Sequence, residues 1–336
     1  MCNREFILNE GLFFTSRVHN RFMPAEYTRI AVIDIGSNTI KLLVADFSGG
    51  NLKQTVHCES DETRIGGYLG EGTHIMPAST IEAGLNSVKK LLTLADSHKP
   101  DQIAMIATSA VRDADNRQDF CNRIQQATGH VIQLLSGKEE AESIALGTRC
   151  DPALSDLSEF YMLDQGGGSL EIIHWSATQT KLVSLPLGAV RLFKKFLNGN
   201  TGPMSHAAEA KIREWVDLQW QNVSWLQSRS DAPWVGAGGA LTLIRLLFAK
   251  RQGHNFEESS NQLDFNALSS FYSEITALNL EQRIDLARVP EARADILPAG
   301  LLAILQIMQL AQTTSLTHSV YNLRYGYALK LASQGN

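Results

Sequence analysis

Cysteine is scarce in this 336-residue chain: Cys2, Cys58, Cys121 and Cys150 are scattered, with no CxxC pair. That excludes a disulfide framework and a thiolate zinc site, and it suits a reducing compartment, so a cytoplasmic location is expected. The nine histidines show no HxxxH-type spacing and read as surface or satisfied core residues. Charge of one sign is also lacking. The net charge of −5 gives no basic field of the kind nucleic-acid binders carry, so an anionic ligand must be met by local Lys and Arg and by backbone dipoles. Long apolar runs are missing too. The most apolar stretch, Ile296–Leu310, is too short for a bilayer and contains Gln306 and Gln309, so it reads as a buried helix. Before Thr28, Arg4, Glu5, Arg17 and Arg21 interrupt any signal-peptide core.

What is present is a phrase said twice. IAVIDIGSNTIKLLVADF (Ile30–Phe47) and YMLDQGGGSLEII (Tyr161–Ile173) each run as an apolar strand ending in Asp, a Gly/Ser/Asn turn, and a second apolar strand. Glycine lets an anion approach the main chain, where backbone N–H groups can point at it. Two such loops imply two similar domains facing one phosphate-bearing ligand, and the length suits two cores. Around them the order is α/β. Gly49-Gly50 predicts a hairpin turn, Ser79–Glu82 a capping box opening a helix to about Ser97, and Ile103–Thr108 a buried strand. Helices are predicted over Asp119–Thr128, Lys138–Gly147, Val190–Phe196, His206–Ser228 and Leu241–Ala249. A third glycine turn lies at Val235–Ala240. Trp215, Trp220, Trp225 and Trp234 read as helix packing, with a homodimer interface as the alternative.

Taken in order, these motifs resemble the exopolyphosphatase / guanosine pentaphosphate phosphatase family. The pieces are DIGSNTIKLLV (34–44), ATSAVRDADNRQDF (107–120), LLSGKEEAESIALG (134–147), LDQGGGSLEI (163–172), SLPLGAVRL (184–192), VGAGGALT (235–242), RADILPAG (293–300) and SVYNLRYGYAL (319–329). The resemblance implies an α/β fold of two actin-like, ribonuclease-H-like domains with the active site between them. On that reading residues 1–28 are an N-terminal extension expected to be poorly ordered, with Met23 as a second potential start. Residues 29–145 form domain I and residues 146–336 domain II, the last helix packing back on domain I. Longer relatives add a helical HD domain; this sequence has no His-Asp dipeptide.

The resemblance also implies roles. Glu140 matches the catalytic glutamate, since phosphoanhydride hydrolysis needs a carboxylate to orient or deprotonate water. Without it, Glu139, Glu140 and Glu142 read first as a solvated first helical turn. Arg112 matches a phosphate-gripping arginine. Asp164, Glu171 and Asp34 are expected to hold Mg2+, which prefers oxygen ligands and keeps several waters; singly, Asp34 and Asp164 also suit strand-end turns. Gly36, Ser37, Asn38 and Thr39, with Gly166, Gly167, Gly168 and Ser169, should cradle phosphate. Lys41 either contacts substrate or faces solvent on its strand. Gly238 and Gly239 either approach the ligand or permit close packing. Gln165 and Glu142 depart from the family pattern: Gln165 puts a polar side chain at the loop entrance, and Glu142 puts a negative charge beside the anionic substrate and is expected to weaken polyanion binding by local repulsion. A long substrate would need a basic track, for which Arg191, Lys194, Lys195, Arg245, Lys250 and Arg251 are candidates.

The expected activity is Mg2+-dependent release of terminal orthophosphate from inorganic polyphosphate. Alternatives are guanosine pentaphosphate phosphatase, a catalytically weak sensor of guanosine tetraphosphate or phosphate, and an actin-fold sugar kinase, which fold alone does not exclude. No nucleic acid or membrane partner is expected.

Overall fold

The computed structural model describes residues 27–69 and 74–334; the expected N-terminal extension lies almost wholly outside them. Strands β1 (Thr28–Ile35), β2 (Thr39–Ser48), β3 (Asn51–Glu62), β4 (Gln102–Ala107) and β5 (Ile132–Leu134) form one sheet in the order β3-β2-β1-β4-β5. Strands β6 (Glu159–Gln165), β7 (Leu170–Ser176), β8 (Thr180–Leu185), β9 (Trp234–Gly238), β10 (Gln262–Asp264) and β11 (Ser315–His318) form a second, in the order β10-β11-β9-β6-β7-β8. In each, three strands run as an antiparallel meander and two more add in parallel. The doubled phrase in the sequence is thus a doubled sheet, with β10 as an addition at one edge.

Period-2 alternation explains how one strand serves two cores. On β1, Ile30 and Val32 enter an apolar cluster shared with Phe160, Met162 and Ile173 of the second sheet, while Ala31, Ile33 and Ile35 enter a cluster on the other face. On β6, Phe160 and Met162 face the shared core and Tyr161 and Leu163 a third cluster.

Helices α1 (Ala78–Ser97), α2 (Ser109–Arg112), α3 (Arg117–Thr128) and α4 (Gly137–Thr148) follow the first meander. The later ones are α5 (Ala189–Leu192), α6 (His206–Gln221), α7 (Gly239–Arg251), α8 (Phe265–Thr276), α9 (Leu280–Asp285), α10 (Glu291–Ala294), α11 (Leu297–Ala311) and α12 (Leu323–Gln334). Ile296–Leu310 is mostly the buried α11, and among the described residues no helix is long and apolar enough to cross a membrane. Helix α12 returns to the first sheet, where Arg324 Nη1 donates to Leu42 O at 3.0 Å and Tyr325 OH meets Thr55 Oγ1 at 3.1 Å.

Three expectations change. Helix α1 begins one residue earlier than Ser79, with Pro77 before it and no side-chain cap, because Ile81 N already bonds Pro77 O. Capping boxes lie instead at Ser136 and Glu139, opening α4, and at Asn279 and Gln282, opening α9. The helix expected over His206–Ser228 stops at Gln221 and resumes as a 3-10 turn, Ser224–Ser228. Helix α5 ends at Leu192, and Phe193–Leu197 widens into a π turn.

Candidate active site

The two loops are the same turn. Gly36 N bonds Thr39 O at 3.2 Å, and Gly166 N bonds Ser169 O at 3.0 Å. Cross-strand register then places Asp34 opposite Lys41 and Asp164 opposite Glu171. Each sheet therefore presents a strand-end carboxylate with one charged partner, a cation in the first copy and a second carboxylate in the other.

The loops meet in a cleft that is partly open to solvent and has a cavity volume of about 80 Å³. Ser37 Oγ lies 3.2 Å from Ser109 Oγ. A methyl on Gly168 would fall 1.9 Å from Ser109 Oγ and 2.6 Å from Ser37 Oγ, so only glycine lets the halves approach this closely. The third turn joins them. Gly238 has φ +100°, and a Cβ there would lie 2.3 Å from Gln165 O, so the turn permits close packing, and Gly238 and Gly239 also line the cleft. Asp34, Gly36, Ser37, Asn38, Thr39, Lys41, Glu140, Asp164, Gly166, Gly167, Gly168, Ser169, Glu171, Gly238 and Gly239 all line the cleft. Arg112 is not among the lining residues: its Nη1 donates to Glu140 Oε2 at 3.0 Å and to Leu135 O at 2.8 Å, holding the glutamate.

Glu140 is buried on the first turn of α4, set there by the Ser136–Glu139 box. Burial pushes its carboxyl up to about 7 against the opposing charge and hydrogen bond of Arg112. Glu171 is raised by burial and by the nearby Glu140, while accepting Ser184 Oγ at 2.7 Å. Burial lifts Asp164 to about 6 and also raises Asp34. The Lys41 ammonium offsets both aspartates and is itself lowered to about 8, mainly by burial and then by Arg324 and Arg293. Burial thus raises four carboxylates in one cleft.

Sequence reasoning left several lining residues without roles. Arg293 Nη2 donates to Thr39 Oγ1 at 3.1 Å, and Asn322 Nδ2 donates to Asp164 Oδ2 at 2.9 Å. Both sit in blocks noted for resemblance, RADILPAG and SVYNLRY, as Ser109 does in TSAVR. Gln165 has a structural duty: its Nε2 donates to Leu187 O and Gly300 O, at 3.1 and 3.0 Å, tying the loop to α11. Glu142 is exposed on α4, its Oε1 3.7 Å from Lys138 Nζ, so it does not face the cleft. The proposed basic track is partly committed elsewhere. Arg245 donates to Phe256 O and Ser259 O, and Arg251 pairs with Glu274.

Among the described residues, no group of three or more His, Cys, Asp or Glu side chains is placed to hold a metal ion. The donors suit an ion that takes only one or two protein carboxylates and completes its shell with water and phosphate oxygens, as Mg2+ does. Asp34 Oδ1 is buried without a hydrogen-bond partner, an oxygen of the kind such an ion needs.

Paired sheets of one strand order, each presenting a glycine loop to a shared cleft, define an actin-like enzyme of phosphate chemistry. The chain belongs to the Ppx/GppA phosphatase family, whose model matches residues 27–334. It is similar to exopolyphosphatase 2 of Mycobacterium tuberculosis, 28% identical over 327 residues, covering 91% of this chain and 99% of the relative. Exopolyphosphatase 1 of the same organism is 27% identical over 308 residues, covering 90% of this chain and 88% of that one. In fold it is similar to an exopolyphosphatase from Cytophaga hutchinsonii, with TM-score 0.79, 23% identity and coverage of 91% and 98%. The Aquifex aeolicus family member gives TM-score 0.74 at 22% identity, covering 93% and 99%.

Proposed function

We propose that this phosphatase is an exopolyphosphatase that releases terminal orthophosphate from inorganic polyphosphate. The observation that carries the reading is Glu140: a buried carboxylate, held by Arg112, in a cleft walled by two glycine loops. The names of the similar mycobacterial proteins support the choice of substrate.

The terminal phosphoryl group rests against the loop amides of Gly36–Thr39 and Gly166–Ser169. Glu140 accepts a hydrogen bond from a water molecule and takes its proton as the water attacks phosphorus; the bridging P–O bond breaks, orthophosphate forms, and the shortened polyphosphate leaves with the bond's electron pair on its terminal oxygen. Arg112 keeps that carboxylate aimed, and Lys41 and Arg293 add positive charge at the cleft wall. Asp34 and Asp164 are the residues that would hold Mg2+, with Glu171 beside them. When bound, the ion neutralises charge on the phosphate oxygens.

Phosphate release should be measured with Mg2+ on long-chain polyphosphate, guanosine pentaphosphate and ATP in parallel. The account expects turnover of polyphosphate above the other two. Preferential turnover of guanosine pentaphosphate would reassign the substrate, and tight binding of guanosine tetraphosphate without any turnover would replace the enzyme by a sensor.

A further inference from the structure

We propose that Asp113 and Arg191 are positioning residues that couple seating of the second glycine loop to alignment of Glu140. The inference rests on the hydrolase reading above and adds residues that do not line the cleft.

The chain of contacts crosses between the two sheets. Arg191, on α5, donates from Nε to Gly168 O at 2.7 Å and from Nη2 to Asp113 Oδ2 at 2.5 Å. Asp113 follows α2 directly, its N bonded to Ser109 O, and its Oδ1 lies 3.5 Å from Arg112 Nε. Arg112 in turn holds Glu140 Oε2 at 3.0 Å. Charges alternate along the path: guanidinium, carboxylate, guanidinium, carboxylate.

Each arginine joins a backbone carbonyl to a carboxylate. Arg191 does so with two nitrogens, Nε to Gly168 O and Nη2 to Asp113, and Arg112 with Nη1 alone, which donates to both Leu135 O and Glu140. A guanidinium presents its donors in a fixed plane; an ammonium is a point of charge on a flexible stem. The bridge closes only when Gly168 sits against Ser37 and Ser109, because Arg191 and Gly168 belong to the second half and Asp113 to the first. With the loop withdrawn, Asp113 loses Arg191, and Arg112 loses the group that orients its neighbour.

The Asp113–Arg191 pair is partly exposed, at 27% and 23%, and ion pairs with that much solvent contribute little to stability. Its loss should therefore appear in turnover and hardly in melting temperature. A misaligned catalytic group slows chemistry without a matching change in ground-state binding.

The test is phosphate release and thermal melting of Asp113→Asn, Arg191→Gln, the double variant and Arg191→Lys, beside wild type and Glu140→Ala. Each single change should lower kcat about tenfold or more with KM within about twofold. The double variant should be no slower than the worse single, as members of one relay are non-additive. Arg191→Lys should stay near Arg191→Gln, since an ammonium on a flexible stem does not reproduce the fixed Nε and Nη2 donors that hold Gly168 O and Asp113. Wild-type kcat in the variants, with only lower melting, would make the bridge structural and overturn the inference, as would independent, multiplying losses. An inactive wild type, or a fully active Glu140→Ala, would overturn the hydrolase reading itself and this inference with it.

Discussion

Glu140 is a carboxylate that the fold keeps from ionising freely. Burial raises it to about 7, and Arg112 is the main force pulling it back. As a general base it works ionised, so kcat should climb about tenfold per pH unit below that point and level off above it. Arg112→Met removes the opposing cation and should move this limb to higher pH in the residual activity. An acid limb left in place would remove Glu140 from the role of titrating base. Glu171 gives a second handle. Its folded-state pKa lies above the unfolded value, so the stability it adds is present below about pH 4.3 and is lost as pH rises through the folded value. Glu171→Gln should therefore melt above wild type at pH above the folded value, with the gap closing as pH falls toward the unfolded value.

At the scale of elements, the site depends on how closely α4 and α12 cross. A Cβ on Gly326 would lie 1.7 Å from Ser143 O, and one on Gly147 would lie 2.2 Å from Asn322 O. Both obstacles are backbone, so Gly326→Ala must push the helices apart, costing about 1–3 kcal/mol or more by overpacking. It should also weaken the Asn322–Asp164 bond at the start of α12; chemical denaturation and kcat measured together check this. Elements with strong local signals were legible in the sequence. The hairpin at Gly49-Gly50 forms with φ +57° and +70°, and α3 ends at Gly129 with φ +76°. Where several signals compete, position slipped. Ser79 looked like a cap, yet Pro77 already suits the residue before a helix, since its ring fixes φ without needing an N–H partner.

For the whole molecule, the doubled motif foretold the doubled sheet and the facing loops, because each copy carries its own apolar strands and turn. What joins the copies was not legible. Ser37 meets Ser109 across 72 positions, Asp164 meets Asn322 across 158, and Thr39 meets Arg293 across 254. No local periodicity encodes such pairings. Glu142 shows the same limit from the other side: two positions from Glu140, it is rotated out to solvent by the helix. The expected three-carboxylate magnesium set is likewise spread across both halves. Mg2+ should raise the melting temperature of the wild type by mass action and leave Asp164→Asn unchanged; equal shifts would place the ion elsewhere.

The most direct measurement is steady-state phosphate release from long-chain polyphosphate by wild type and Glu140→Gln, with melting curves to show that both are folded. The account predicts a folded variant whose kcat falls by about 10²–10⁴-fold. A folded Glu140→Gln that turns over polyphosphate at the wild-type rate would contradict it.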